Sequence, residues 1–99
     1  MKIYISGQIT GLDLTEATTL FKEAEIMLKN RLHEVINPMD LPHKHGQTWR
    51  EFMLEDIDAL MGCQGIYMLE NWRDSKGARI EHNIAVEMGL KIFYEICYY

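Results

Sequence analysis

The tract Gly65-Ile66-Tyr67-Met68-Leu69, followed by Glu70-Asn71-Trp72-Arg73-Asp74-Ser75-Lys76 and then by Gly77 to Gly89, decides the fold. Gly65 to Leu69 reads as a short apolar strand and Glu70 to Lys76 as a loop. From Gly77 onward, Ala78, Ile84, Ala85 and Met88 recur at helical spacing. Lys91 to Ile96 then reads as a further strand. Strand, short loop, helix, strand is the unit from which a parallel sheet is wound, because the helix carries the chain back across a sheet face.

The same alternation continues outward toward the N-terminus. Lys2 to Ser6 is a strand ending in Gly7. Leu14 to Arg31 is a helix, with Asp13 or Thr15 as its N-cap and Ala17, Leu20, Phe21, Ala24 and Leu28 as its buried stripe. Glu34 to Asn37 is a strand stopped by Pro38, Met39 to Gln47 a loop, and Trp49 to Met61 a helix. Four strands and three helices predict one α/β domain over residues 1–99. The expected architecture is a small, doubly wound, flavodoxin-like three-layer sandwich with a mainly parallel four-stranded sheet.

Two acids break the amphipathic pattern. On the Gly77–Gly89 helix, Glu81 projects between Ala85 and Met88, inside the apolar arc, while Arg79, Asn83 and Glu87 take the solvent side. On the Trp49–Met61 helix, Glu51, Glu55 and Asp58 share a polar face, but Asp56 projects between Trp49, Phe52 and Leu60. An inward carboxylate is costly unless it is paired or used. Two on neighbouring helices suit a nucleophile and an acid/base at a glycosidic carbon. The competing reading makes each a helix-edge acid shielding a backbone or an arginine.

Composition excludes several classes. With 47% hydrophobic and 25% charged residues, the chain reads as an ordinary globular protein. Its net charge of −5 and lack of a basic stripe argue against binding a nucleic-acid polymer. No membrane span is expected, since the apolar runs are short, and no signal peptide precedes the first strand, so the cytoplasm is the expected location. Cys63 and Cys97 lack C-x-x-C or metal spacing and read as reduced core residues. His43-x-His45 lies in a loop and reads as loop chemistry rather than a metal site. No metal and no organic cofactor are expected.

In an open α/β sheet, ligands bind at the strand carboxyl ends, where the chain order reverses. The segments expected there are Gly7–Gly11, Pro38–Gln47 and Glu70–Gly77. Ser6-Gly7-Gln8-Ile9-Thr10-Gly11 is neither a dinucleotide fingerprint nor a P-loop. Ser75-Lys76-Gly77 stands at a helix N-terminus, where free amides favour an anion.

Ile3-Tyr4-Ile5-Ser6-Gly7, Asp56-x-Asp58 and Ser75-x-Gly77-x-x-x-Glu81 occur in that order on those elements. The set resembles the nucleoside 2-deoxyribosyltransferase superfamily, and within it the 2′-deoxynucleoside 5′-phosphate N-hydrolase branch and small uncharacterised relatives. The resemblance implies Glu81 as nucleophile at the anomeric carbon, Asp56 as acid/base toward the leaving base, and Tyr4 as the hydroxyl orienting the nucleophile. It implies that Ser75 binds a 5′-phosphate, with Gly7, Ile9 and Gly11 forming the phosphate-side loop and Gly77, at the helix start, also on the substrate- and phosphate-binding side. Gln8 and Gln64 depart from the residues usual in relatives, and the sequence stops at Tyr98-Tyr99, where relatives carry a further segment.

The function expected is cleavage of the N-glycosidic bond of a (deoxy)nucleoside 5′-monophosphate, by hydrolysis or base transfer. The alternative is a nucleotide-binding or sequestering module with little or no turnover. Trp72 is expected to contact base or sugar, and Trp49 to serve the core. The partner is then a small nucleotide or nucleoside, together with a second copy of the chain. Phe93, Ile96, Tyr98 and Tyr99 supply the apolar surface for that homodimer.

Overall fold

Alternation along the first strand sorts the two faces of the sheet. The computed structural model describes residues 1–44 and 46–96. In β1 (Lys2–Ser6), successive side chains point to opposite faces. Ile3 and Ile5 pack against Phe21, Ala24 and Leu28 of α1 (Leu14–Asn30). Tyr4 points the other way, into a core with Ile66 and Met68 of β3 (Gly65–Met68), Leu60 of α2 (Trp49–Met61), and Ala78 and Ala85 of α3 (Lys76–Met88). One helix therefore covers one face and two cover the other, the three-layer α/β sandwich expected from the sequence.

With β2 (Glu34–Ile36) and β4 (Lys91–Tyr94), the strands lie in the order β2-β1-β3-β4, and every pairing is parallel. The chain moves outward from β1 to β2, then returns past β1 to β3. The order thus reverses between β1 and β3, and loops leaving their carboxyl ends diverge there to open a crevice.

The helix ends follow local chemistry. Asp13 accepts the Glu16 amide and is the α1 cap, which decides against Thr15. Thr48 and Glu51 form a reciprocal capping box that starts α2. Ser75 accepts the Ala78 amide and starts α3 at Lys76, one residue ahead of the expected Gly77. Gly89, at φ 71°, ends that helix in the left-handed region.

Two segments expected as plain loops contain 3-10 turns, Pro38–Asp40 and Glu70–Asp74. The Asn37 side chain caps the first by accepting the Met39 amide, so β2 ends at Ile36 rather than Asn37. β4 ends at Tyr94 rather than Ile96, although the Glu95 amide still reaches the Met68 carbonyl at 2.8 Å. Gln64, one of the departures from relatives, accepts the Lys2 amide at the start of the sheet and plays no part at its carboxyl end. His45, Cys97, Tyr98 and Tyr99 lie outside the described residues.

One buried acid escaped the sequence reading. Glu25 is buried on α1, where it accepts from Lys29 at 2.6 Å and from Asn37 at 3.0 Å, with Lys22 at 3.5 Å. The hydrogen bonds from Lys29 and Asn37 pull its carboxyl down to about 2. Through Asn37 it ties α1 to the end of β2.

Candidate active site

The residues facing the crevice are set by two periodicities. Tyr4 and Ser6 are two apart on β1, so both hydroxyls emerge on the α2/α3 face. Ala78, Glu81 and Ala85 form the buried stripe of α3, and Met53, Asp56 and Leu60 the buried stripe of α2. Each acid therefore takes the second position of a stripe with the same spacing.

Glu81 is only 4% exposed and is gripped from below. The Tyr4 hydroxyl donates to its Oε2 at 2.8 Å and the Ser6 hydroxyl to its Oε1 at 2.7 Å. Neither donor carries charge, and a carboxylate with hydroxyls alone is incompletely compensated. Burial accordingly pushes the Glu81 carboxyl up to about 7, against the pull of the Ser6 and Tyr4 hydrogen bonds and with a further push from Asp56. Burial and the Glu81 charge hold the Tyr4 phenol well above its ordinary range, so it stays a proton donor.

Asp56 is 8% exposed, and its Oδ1 is buried with no hydrogen-bond partner. Burial lifts this carboxyl to about 6, with His43 pulling it down and Glu55 pushing it up. Glu81 and Asp56 both line one cavity of about 320 Å³, together with Tyr4, Ser6, Gly7 and Ile9. That size suits a small organic ligand. Ser75 and Gly77 border the same cavity from α3. Among the lining residues there is no Lys or Arg. Among the described residues, no group of three or more His, Cys, Asp or Glu could hold a metal ion.

Of the residues named from sequence, Tyr4, Gly7, Ile9, Asp56, Ser75, Gly77 and Glu81 converge on this cavity. Gly11 and Trp72 are not among its lining residues. Gly11 turns the loop at φ 93°, a geometry that suits glycine. The Trp72 ring stacks on His82 at 4.4 Å, with Tyr94 beyond it. The Glu70–Asp74 turn folds Trp72 onto the α3/β4 side, off the lining of this cavity. Trp49 lines the cavity instead. It was expected in the core, but it is the first residue of α2 and is 46% exposed while lining the cavity. Lys76 lies over its face, 5.2 Å from the ring centroid.

Two lining residues that approach the acids, Ser6 at Glu81 and His43 at Asp56, were missed. Ser6 was legible from the Tyr4-x-Ser6 alternation. His43 was passed over as loop chemistry; nothing in its spacing predicts that its ring returns to α2.

The fold is that of the 2-deoxyribosyltransferases. A 2-deoxyribosyltransferase from Bacillus psychrosaccharolyticus superposes with a TM-score of 0.74 at 18% identity, over 99% of this chain and 77% of that one. A 2-deoxyribosyltransferase from Leishmania mexicana gives 0.68 at 18% identity, over 94% of this chain and 62% of that one. The chain itself belongs to the family described as a domain of unknown function, DUF4406, whose model matches residues 1–94. No curated protein matches it.

Proposed function

We propose that this protein cleaves the N-glycosidic bond of a deoxynucleoside 5′-monophosphate through a glycosyl-Glu81 intermediate. One observation carries the reading. A buried carboxylate, held by two hydroxyls, shares a ligand-sized cavity with a second buried carboxyl that has an unpartnered oxygen. The fold shared with two 2-deoxyribosyltransferases supports the same chemistry.

In the reaction, Glu81 forms a bond to C1′ as the C1′–N bond breaks, and the departing electron pair takes a proton from Asp56. A water oxygen, or a nitrogen of an incoming base, then bonds to C1′ and gives its proton to Asp56, while the C1′–Oε bond breaks and returns its electron pair to the Glu81 carboxylate. The mechanism needs Glu81 ionised and Asp56 protonated, yet burial lifts Glu81 to about 7 and Asp56 to about 6. The two carboxyls interact and titrate as a pair. Substrate reverses their order, because positive charge developing at C1′ favours the Glu81 anion while the basic nitrogen of the leaving group faces Asp56. Tyr4 and Ser6 keep the Glu81 oxygens aligned and favour its charged form.

The 5′-phosphate is assigned to the Ser75 hydroxyl, the first amides of α3, and the Gly7–Ile9 backbone. Lys76 flanks that position. The rival reading, a nucleotide-binding module without turnover, uses the same cavity and differs only in chemistry. The test is incubation with each deoxynucleoside and its 5′-monophosphate, with and without a second free base, followed by chromatography of released and exchanged bases. Base release by wild type and none by Glu81→Ala supports the proposal. Tight binding without release favours the binding module.

A further inference from the structure

Asp56 must carry its proton on the oxygen that faces the leaving base, and nothing in its own carboxyl group determines which oxygen that is. Its Oδ1 is sealed from solvent and has no hydrogen-bond partner, although Asp56 borders the cavity. The approaching donor is His43, whose Nε2 lies 3.7 Å from that same Oδ1. The ring is fixed from its other side. Nδ1 lies 2.7 Å from Glu55 Oε2, while Gln47 donates to Glu55 Oε1 at 2.7 Å, so both oxygens of Glu55 are engaged. Phe52 meets the imidazole edge-on at 4.7 Å between ring centroids. Nε2 also lies 3.2 Å from the Pro38 carbonyl oxygen. Each ring nitrogen thus meets acceptors only.

We propose that His43, clamped by Glu55, is a positioning residue for Asp56, giving Nε2–H to the inner oxygen so that the acid proton is carried on the oxygen facing the leaving base. The inference rests on the glycosyl-transfer reading above. Closing the gap needs roughly 0.8 Å of movement, an ordinary tightening as substrate fills a site. With Oδ1 accepting from His43, a proton there is unfavourable and Oδ2 holds it. During cleavage the C1′–N bond breaks, its electron pair takes the Oδ2 proton, and Glu81 closes on C1′. His43 transfers no proton in this step and touches no reacting atom.

A positioning role has a signature that a merely structural one lacks, namely dependence on the leaving group. The substrates are the purine deoxynucleotide that wild type cleaves best and its N7-methylated counterpart, whose cationic base departs neutral without receiving a proton. In His43→Gln and in Glu55→Gln, kcat for the ordinary purine is expected to fall about tenfold or more, with KM within about twofold. For the N7-methylated substrate both variants stay near wild type. The two variants guard against misfolding of either one, and matched thermal melts check each. Equal losses on both substrates, or a loss confined to KM, overturn the assignment of His43. Failure of wild type to cleave either substrate overturns the glycosyl-transfer reading itself, an outcome independent of both variants.

Discussion

Replacing Glu81 by Gln should make the protein more stable, and by an amount that depends on pH. Burial raises this carboxyl from 4.5 to about 7 in the folded chain. A group with a raised acid pKa binds its proton more tightly when folded, so stability falls as pH climbs from about 4.5 through about 7. The deficit is complete above that window and absent well below it. At about 1.4 kcal/mol per pH unit, it reaches roughly 3 kcal/mol at pH 8 and less than about 1 kcal/mol at pH 5. The isosteric amide cannot ionise, and it can still accept from one hydroxyl while donating to the other. Glu81→Gln is therefore expected to gain about 2–3 kcal/mol at pH 8 and little at pH 5. For a chain of 99 residues, the gain at pH 8 corresponds to a rise in Tm on the order of 10 °C. Urea unfolding at both pH values, followed by circular dichroism, measures it. An equal change at the two pH values, or a loss at pH 8, would refute the argument that Glu81 is a strained, undercompensated carboxylate.

Other expectations follow from single contacts. Asp56→Asn should slow release of an unactivated base by about 100-fold or more, with a much smaller effect on an N7-methylated one, measured as kcat on both. Ser6→Ala removes one of the two donors that favour ionised Glu81, so the acidic limb of the kcat/KM profile should move up by about one pH unit; an unmoved limb would show that Ser6 does not act on Glu81. Gly7→Ala should cost about 1–3 kcal/mol in urea unfolding, because a Cβ there would lie 2.6 Å from Leu69 Cδ1. Phe93 and Ile96 are exposed on the β4 side, and we propose that two copies associate through them; a monomeric mass by sedimentation at micromolar concentration would contradict that.

Much of this molecule was legible because two periodicities carry it. The short apolar strand Lys2–Ser6 and the helical stripes of α2 and α3 were enough to order the elements and to single out Asp56 and Glu81 as inward acids. Inwardness alone does not mark a functional acid, however. Glu25 is just as buried on α1 and is structural. The difference lies in the partners. Glu25 faces two lysines and an asparagine, whereas Glu81 has only hydroxyls and Asp56 leaves an oxygen bare. Those partners come from elements distant in sequence, so no spacing rule reveals them. Trp49 lines the cavity and Trp72 does not for a similar reason. Periodicity set Trp49 on the apolar arc of α2, but it stands at the first position of that helix, half exposed and lining the cavity. Trp72 was judged by its nearness to Ser75, while the 3-10 turn swings its ring onto His82.

The central claim is that Glu81 bonds to the sugar. A deoxynucleotide analogue bearing fluorine at C2′ disfavours the positive charge that develops at C1′ and slows both steps, so that a glycosyl-enzyme accumulates. Mass spectrometry of the intact protein, and then of its peptides, should show one added fluorosugar phosphate located on Glu81, and none in Glu81→Ala. Base release with Glu81 unmodified, or an adduct on any other residue, would contradict the account.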